Sequence, residues 1–101
     1  MSEQQLIETI YDLSLYVAGS SPRSREAIKS IKEICGSDLK GHCHLNIIDI
    51  YQRPELAKKN QIVAVPTLIR WSPGPLRKLV GDMTDKQRVF AGLGITPSDR
   101  T

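Results

Sequence analysis

Residues 62–71 read IVAVPTLIRW, and this stretch decides how the 101-residue chain folds. The residue before a proline is biased toward an extended backbone, so Val65 favours an extended approach to Pro66. The run that follows, residues 67–71, is dominated by Thr, Leu, Ile and Trp, which together are typical of a strand. The stretch therefore predicts a rigid turn at Val65-Pro66 that leads directly into a strand.

Residues 12–18 alternate, with Leu13, Leu15 and Val17 on one face, and predict the first strand. Ser21 and Pro22 follow as a helix N-cap and first helical residue, since the N–H that proline lacks has no helical partner at that position. The first helix then carries an apolar stripe at helical spacing. Its members are Ala27, Ile28, Ile31, Ile34 and Cys35. We expect Gly36 to close this helix as the residue after its C-cap.

Residues 45–50 (LNIIDI) predict a second strand, and their mostly apolar character suggests a central strand that is covered on both faces. A strand, a helix and a second strand in this order form a parallel, right-handed unit. Pro54 then begins a short second helix. We expect Asn60 to end that helix in a left-handed conformation.

Residues 72–75 (SPGP) predict a turn, so that residues 76–80 pair with residues 67–71 as an antiparallel hairpin. A capping box of Thr84 and Gln87 predicts the start of the last helix. Its apolar stripe comprises Val89, Phe90 and Leu93, and we expect Gly92 and Gly94 to end it. The predicted organisation is an N-terminal extension over residues 1–10, one α/β domain over residues 11–94, and a loose tail over residues 95–101.

The composition is that of an ordinary globular domain, with 40% hydrophobic and 25% charged residues. A net charge of +3 and 5% aromatic residues do not favour nucleic acid as a partner. No apolar run reaches the ~20 residues that span a bilayer, and residues 1–10 lack the pattern of a signal peptide. Two cysteines are too few for a secreted disulfide scaffold. We therefore expect a cytoplasmic protein with free thiols and no membrane contact.

The predicted order βαβαββα, with Val65-Pro66-Thr67 before the third strand, resembles the thioredoxin fold. That resemblance implies a cis proline that faces a Cys-x-x-Cys motif at the start of the first helix. This chain reads Ser21-Pro22-Arg23-Ser24 there. A serine hydroxyl cannot form a disulfide, and nothing nearby identifies a base to activate it. We therefore expect no catalytic residue and no cofactor, and interpret both serines as parts of a helix start.

Six blocks of sequence, in order and at matching spacing, resemble the KaiB family of circadian-clock proteins. They are residues 15–19 (LYVAG), 21–24 with Ala27 (SPRS), 47–50 (IIDI), 54–57 (PELA), 65–68 (VPTL) and 75–82 (PLRKLVGD). The resemblance implies a non-enzymatic regulator that docks on a KaiC-type ATPase ring, with a histidine kinase or a KaiA-like protein as further partners. It also implies a homo-oligomeric ground state, dimer or tetramer, in which the C-terminal half is arranged differently. We expect Val65, Pro66, Gly81 and Asp82 to lie at the boundary that rearranges.

Basic residues and one Trp supply the candidates for partner binding, because Arg and Trp dominate binding hot spots. The candidates are Arg23, Arg25, Lys58, Lys59, Arg70, Trp71, Arg77 and Lys78. Arg23 is the least expected of them, since a cation beside a helix N-terminus is unfavourable. A solvated polar face explains each basic cluster equally well at this stage.

Two further interpretations involve Cys35 and Cys43. A thioredoxin-like redox or thiol protein would use one of them as an exposed thiol of low pKa, whereas a buried apolar role is the more common one for a free cysteine. His42 and His44 flank Cys43, but alternation along a strand places the two histidines on one face and the cysteine on the other. A zinc site would also need about four ligands, so we expect no metal.

Overall fold

A mixed four-stranded sheet with three helices forms the fold in the computed structural model, which describes residues 9–96. The strands are β1 (Tyr11–Val17), β2 (Cys43–Asp49), β3 (Thr67–Ser72) and β4 (Arg77–Val80). The helices are α1 (Pro22–Glu33), α2 (Pro54–Lys59) and α3 (Lys86–Leu93). The predicted order βαβαββα is therefore confirmed.

The strand order β2-β1-β3-β4 makes β1 and β3 the central strands. β1 pairs in parallel with β2 and antiparallel with β3, and β3 pairs antiparallel with β4, as the predicted hairpin requires. The prediction that the second strand is central was wrong, because β2 is an edge strand whose His44 and Asn46 are exposed. Leu45 packs on the core from one face of the strand. The apolar run over residues 45–50 does not indicate how many strands pair with β2.

One face of the sheet carries the hydrophobic core. Leu13, Leu15 and Val17 of β1 are buried, because both edges of β1 are paired and this face lies under α1 and α3. Ala27 and Ile31 of α1, Ile34 directly after it, and Val89 and Leu93 of α3 pack against them. Full burial of one such aliphatic side chain stabilises the fold by about 1.5–3 kcal/mol, so this layer is the main stabilising element.

The start of α1 is as predicted, but its end is not. Ser21 is the N-cap, and its Oγ accepts a hydrogen bond from Ser24 N at 3.2 Å. Gly36 does not close the helix, because the chain continues into a π-helical turn over Ile34–Asp38. Leu39 N donates to Ile34 O at 2.8 Å in this turn, one residue further than an α-helix allows.

The π-helical turn places Cys35 beside Cys43, the first residue of β2, with Cα atoms 5.5 Å apart, and the two form a disulfide. The expectation of free thiols was therefore wrong. The pair was not foreseen because Cys35 was assigned to the apolar stripe of a regular helix. Only the wider turn brings it to the start of the strand.

The left-handed residue after α2 and the N-cap residue of α3 each differ from the sequence prediction by one position. Asn60 is not left-handed, and Gln61, with φ of 57°, takes that conformation instead. Asp85 rather than Thr84 caps α3, since Asp85 Oδ1 accepts from Gln87 N at 3.0 Å and from Arg88 N at 3.3 Å. The Thr84 hydroxyl donates to Asp82 instead. The prediction of a capping box formed by Thr84 and Gln87 was therefore wrong.

The C-terminal boundary of the domain also differs. Gly94 ends α3 in a left-handed conformation, as predicted, whereas Gly92 lies inside the helix. Ile95, which was assigned to the loose tail, is only 5% exposed and belongs to the core. The rest of the predicted tail from residue 97, and residues 1–8 of the predicted extension, lie outside the described residues. Within residues 9–96 no helix is long and apolar enough to cross a membrane.

We expect Leu15→Ala to lower the free energy of unfolding by about 2–5 kcal/mol, because it opens a cavity in the buried layer of β1. Urea denaturation followed by circular dichroism measures the change. The matched control is Val63→Ala, at an exposed position, which should change stability by less than about 0.5 kcal/mol. Equal losses of stability in the two variants would contradict the assignment of Leu15 to the core.

Candidate functional site

Four loops converge at one end of the sheet, which we call the upper end. β1 and β2 are parallel and both finish there, at Val17 and Asp49. β3 begins there and β4 finishes there, since Thr67 pairs with Val80. The upper end therefore consists of residues 18–21, 50–52, 62–66 and 80–82. In an α/β sheet, the carboxyl ends of parallel strands are the usual place for a binding site.

The start of α1 at this end is held by two serine hydroxyls. Ser24 is buried; its Oγ donates to Ala18 O at 3.2 Å and accepts from Ala18 N at 3.1 Å. Ser21 Oγ lies 2.9 Å from Ser24 Oγ. Both hydroxyls are thus used to join β1 to α1, which confirms the structural interpretation of Ser21-Pro22-Arg23-Ser24.

Asp49 joins the loops that follow β1 and β2. Its Oδ1 accepts from Gly19 N at 3.0 Å and from Tyr51 N at 2.9 Å. Gly19 has φ of 60°, and a Cβ there would lie 3.3 Å from the ring of Tyr51. Glycine at this position therefore lets the Tyr51 ring lie against the backbone of the loop while 73% of the residue stays exposed.

The remaining two loops of the upper end meet at Pro66, Gly81 and Asp82. The Val65-Pro66 peptide bond is cis, and Gly81 N donates to Pro66 O at 3.0 Å. The backbone N–H of Thr84 and its hydroxyl, at 2.9 Å and 2.8 Å, hold the pKa of the Asp82 carboxyl below its ordinary value, and the charge of Arg23 adds to this. A carboxylate of the same chain thus offsets the unfavourable cation at the start of α1.

Three apolar side chains are exposed at the upper end, and sequence reasoning missed all of them. Tyr51 is 73% exposed, Val63 95% and Val80 45%. Tyr51 and Val63 lie in loops rather than in a strand or helix. A large apolar residue outside any periodic element was the signal that could have identified them. Together with Arg23 at the same end of the sheet, such residues resemble the mixture of apolar and basic groups found at protein interfaces.

The predicted partner-binding residues do not form one surface. Arg23 and Arg25 lie at the upper end, in the first turn of α1. Lys59, Trp71 and Lys78 line a shallow cavity of about 260 Å³ on the face opposite α1 and α3. Arg70 and Arg77 are cross-strand partners near the other end of the sheet, and Lys58 is exposed near the end of α2.

Two of these residues are less accessible than the sequence suggested. Trp71 is half-buried rather than exposed, and its Nε1 donates to Ser14 Oγ at 2.8 Å. Arg70 is only 6% exposed. Tyr16 of β1 is buried: burial raises the pKa of its hydroxyl, which accepts a hydrogen bond from Asn60 Nδ2 at 2.8 Å.

The cysteines lie far from the place where a redox centre would be expected. Cys35 follows α1 and Cys43 begins β2, so the disulfide lies at the end of the sheet opposite the cis proline. Because the sulfur of Cys43 is in the disulfide, it is not available as a metal ligand beside His42 and His44. Within residues 9–96 no group of three or more His, Cys, Asp or Glu side chains could hold a metal ion.

The comparisons with solved structures define the fold class. The N-terminal domain of Synechococcus elongatus SasA superposes with a TM-score of 0.67 at 24% identity, over 84% of this chain and 82% of that domain. Mitochondrial thioredoxin 3 from Saccharomyces cerevisiae superposes with a TM-score of 0.68 at 14% identity, over 91% and 84%. The protein thus has a thioredoxin-like fold without a thiol pair at the usual position.

Sequence comparisons then identify the family. A model of the KaiB domain matches residues 14–95. The circadian clock oscillator protein KaiB of Picosynechococcus sp. is 43% identical over 89% of this chain and 86% of its own length. That of Trichodesmium erythraeum is 40% identical over 88% and 86%. The chain belongs to the KaiB family.

We expect Asp82→Asn to flatten the dependence of stability on pH in acid. The pKa of Asp82 is lowered by folding, so the unfolded chain binds this proton more readily than the folded one. Its contribution is present above the ordinary pKa of 3.8 and is lost as the pH falls through the lower, folded value. The melting temperature, measured between about pH 6 and about pH 2, should fall less steeply in the variant. Identical slopes would show that the Thr84 hydrogen bonds and the charge of Arg23 do not stabilise this carboxylate.

We expect no free thiol in the oxidised protein under denaturing conditions and two after reduction, because Cys35 and Cys43 are its only cysteines and are paired. Titration with a chromogenic disulfide reagent in denaturant counts them. The variant Cys43→Ser should show one thiol in both states. Two reactive thiols in the air-oxidised native protein would instead favour a thiol-based activity.

Proposed function

We propose that this protein is a non-enzymatic regulator that docks through its upper end on a KaiC-type ATPase, in circadian or stress-related signalling. One structural observation supports the proposal. In a thioredoxin, the upper end of the sheet holds the redox site, whereas in this protein it has exposed apolar residues and two hydrogen-bonded serines. Tyr51, Val63 and Val80 present the apolar area. The family supports the biological setting, since the relatives in Picosynechococcus and Trichodesmium are named as clock oscillator proteins.

The chemistry of the upper end suits protein docking better than catalysis. Large exposed apolar side chains beside cations are common at interface centres, where Tyr and Arg are enriched. Arg25 is anchored by a hydrogen bond from Nη1 to Ser20 O at 2.8 Å, so its cation is held at this end at little further entropic cost. A partner surface with apolar pockets and carboxylates would complement this arrangement.

Membership of the KaiB family also suggests further partners. We propose a histidine kinase and a KaiA-like protein as such partners, and we also propose a dimeric or tetrameric ground state and a cytoplasmic location. Val65, Pro66, Gly81 and Asp82 are proposed as the boundary of a rearrangement between two folds. Their support is that these residues form one junction, joined by the bond from Gly81 N to Pro66 O.

Size-exclusion chromatography with light scattering tests the proposal, with the protein alone and with a KaiC-type ATPase and nucleotide. We expect the protein to co-elute with the ATPase ring. Val63→Asp places a charge in the apolar area and should weaken binding at least about tenfold. The control Leu76→Asp changes an exposed residue of the β3–β4 turn, at the opposite end of the sheet, and should bind normally.

The outcomes separate the proposal from its alternative. Failure of the wild type to bind the ring would remove the proposed role. Equal binding by Val63→Asp would move the interface away from the upper end. The second candidate function is that of a thioredoxin-like redox protein. The hydrogen-bonded serines at the start of α1 and the disulfide at the opposite end of the sheet do not support it better than the docking function.

A further inference from the structure

Arg70 is a buried cation at the face of the sheet that α3 covers. It is only 6% exposed, and it lies beside Leu13 in the register of β1 and β3. Its Nη1 donates to Gly94 O at 3.2 Å and its Nη2 to Pro75 O at 3.0 Å. The Nε is buried and has no hydrogen-bond partner among residues 9–96. An Arg side chain has five N–H donors, and among residues 9–96 the buried Nε–H of Arg70 is left without an acceptor.

The charge of Arg70 also forms no ion pair with a carboxylate of residues 9–96. The side-chain ion pairs within residues 9–96 join Arg53 to Glu55, and Lys86 to Glu33 and Asp38. Neither acceptor of the Arg70 guanidinium is charged, because both are backbone carbonyls. Burying a charge is costly unless it is paired, and buried Arg residues are normally found with a carboxylate or another anion.

A second guanidinium increases this imbalance. Arg77 pairs directly with Arg70 across the hairpin. A Cβ built on Gly94 would lie 3.3 Å from Arg70 Nη1 and 3.6 Å from Arg77 Cζ, so both guanidinium groups converge on the end of α3. Like charges opposite one another destabilise a strand pair. The C-terminus of a helix offsets only about half of one charge, against two positive charges here.

We propose that Arg70 and Arg77 form a binding site for a carboxylate beside Gly94. A carboxylate supplies the missing countercharge and accepts two parallel N–H bonds from a guanidinium. A Cβ at Gly94 would contact both guanidinium groups, and the φ of 62° disfavours any residue with a Cβ at this position.

The proposal does not depend on the proposed function, because the site lies near the end of the sheet opposite the upper end. Its carboxylate has two sources: an acidic group of another molecule, or Asp99 of this chain, which follows Gly94 by five residues. The chemistry of recognition is the same for both. The experiment uses the full chain and acetate, without the ATPase, so that its failure leaves the docking proposal standing.

The first test is thermal unfolding in sodium acetate and in sodium chloride of equal ionic strength. A ligand that binds only the folded state raises the melting temperature, by about 7 °C for this chain length at about ten times its Kd. We expect acetate to raise it above chloride in the wild type. Arg77→Gln removes the exposed arginine and should abolish that difference. Arg53→Gln, which removes a distant exposed cation paired with Glu55, is the matched control and should keep it.

A second measurement reports on Arg70 itself and needs no substitution. The Nε–H signal of Arg70 in a ¹H–¹⁵N correlation spectrum of the wild type should shift as acetate is added and stay in place with chloride. Equal effects of acetate and chloride, or an unchanged acetate effect in Arg77→Gln, would overturn the proposal. Inorganic phosphate that binds at least tenfold more tightly than acetate would overturn the assignment to a carboxylate.

Asp99→Asn separates the two sources. A stronger acetate effect in this variant would show that the carboxylate of Asp99 competes for the site. An unchanged effect would assign the site to the carboxylate of another molecule. Both results require that acetate acts through Arg77, and the proposal therefore stands or falls on the Arg77→Gln comparison.

Discussion

Strand β1 is the element on which the rest of the structure depends. It is paired on both edges, in parallel with β2 and antiparallel with β3, and its odd-numbered side chains are buried under α1 and α3. Because β1 runs in the same direction as β2, the loops after both strands emerge at one end. This arrangement positions Tyr51 and the start of α1 together, and it separates them from the disulfide at the opposite end.

The two ends of the sheet therefore differ in chemistry. The upper end has its Ser21 and Ser24 hydroxyls and its Asp49 carboxylate engaged in joining loops, which leaves apolar side chains and the cations Arg23 and Arg25 as accessible groups. Near the other end, two arginines converge on the C-terminus of α3, and neither forms an ion pair with a carboxylate of residues 9–96. The first arrangement suits a protein surface and the second an anion. Neither resembles the thiol chemistry that is common on this fold, which illustrates that the fold does not determine function.

Much of the fold could be predicted from the sequence, but less of the candidate site. The alternation of Leu13, Leu15 and Val17, the stripe of α1 and the strand after Pro66 were sufficient for the order βαβαββα. The cap of α3 was missed because Thr84 and Asp85 are both good caps, and the choice depended on Asp82, which engages the Thr84 hydroxyl. The exposure of Val63 was missed because a short apolar run before a proline reads equally well as a strand.

The sequence by itself determined the order of strands and helices and the family, since periodicity and prolines act over a few residues and the KaiB-like blocks cover most of the chain. Only the tertiary structure decided that β2 is an edge strand, that Cys35 meets Cys43, and that Arg70 is buried beside Arg77. Each of these results depends on which segments become neighbours across the sheet. That choice is set by the packing of α1 and α3 on β1, which no local pattern contains.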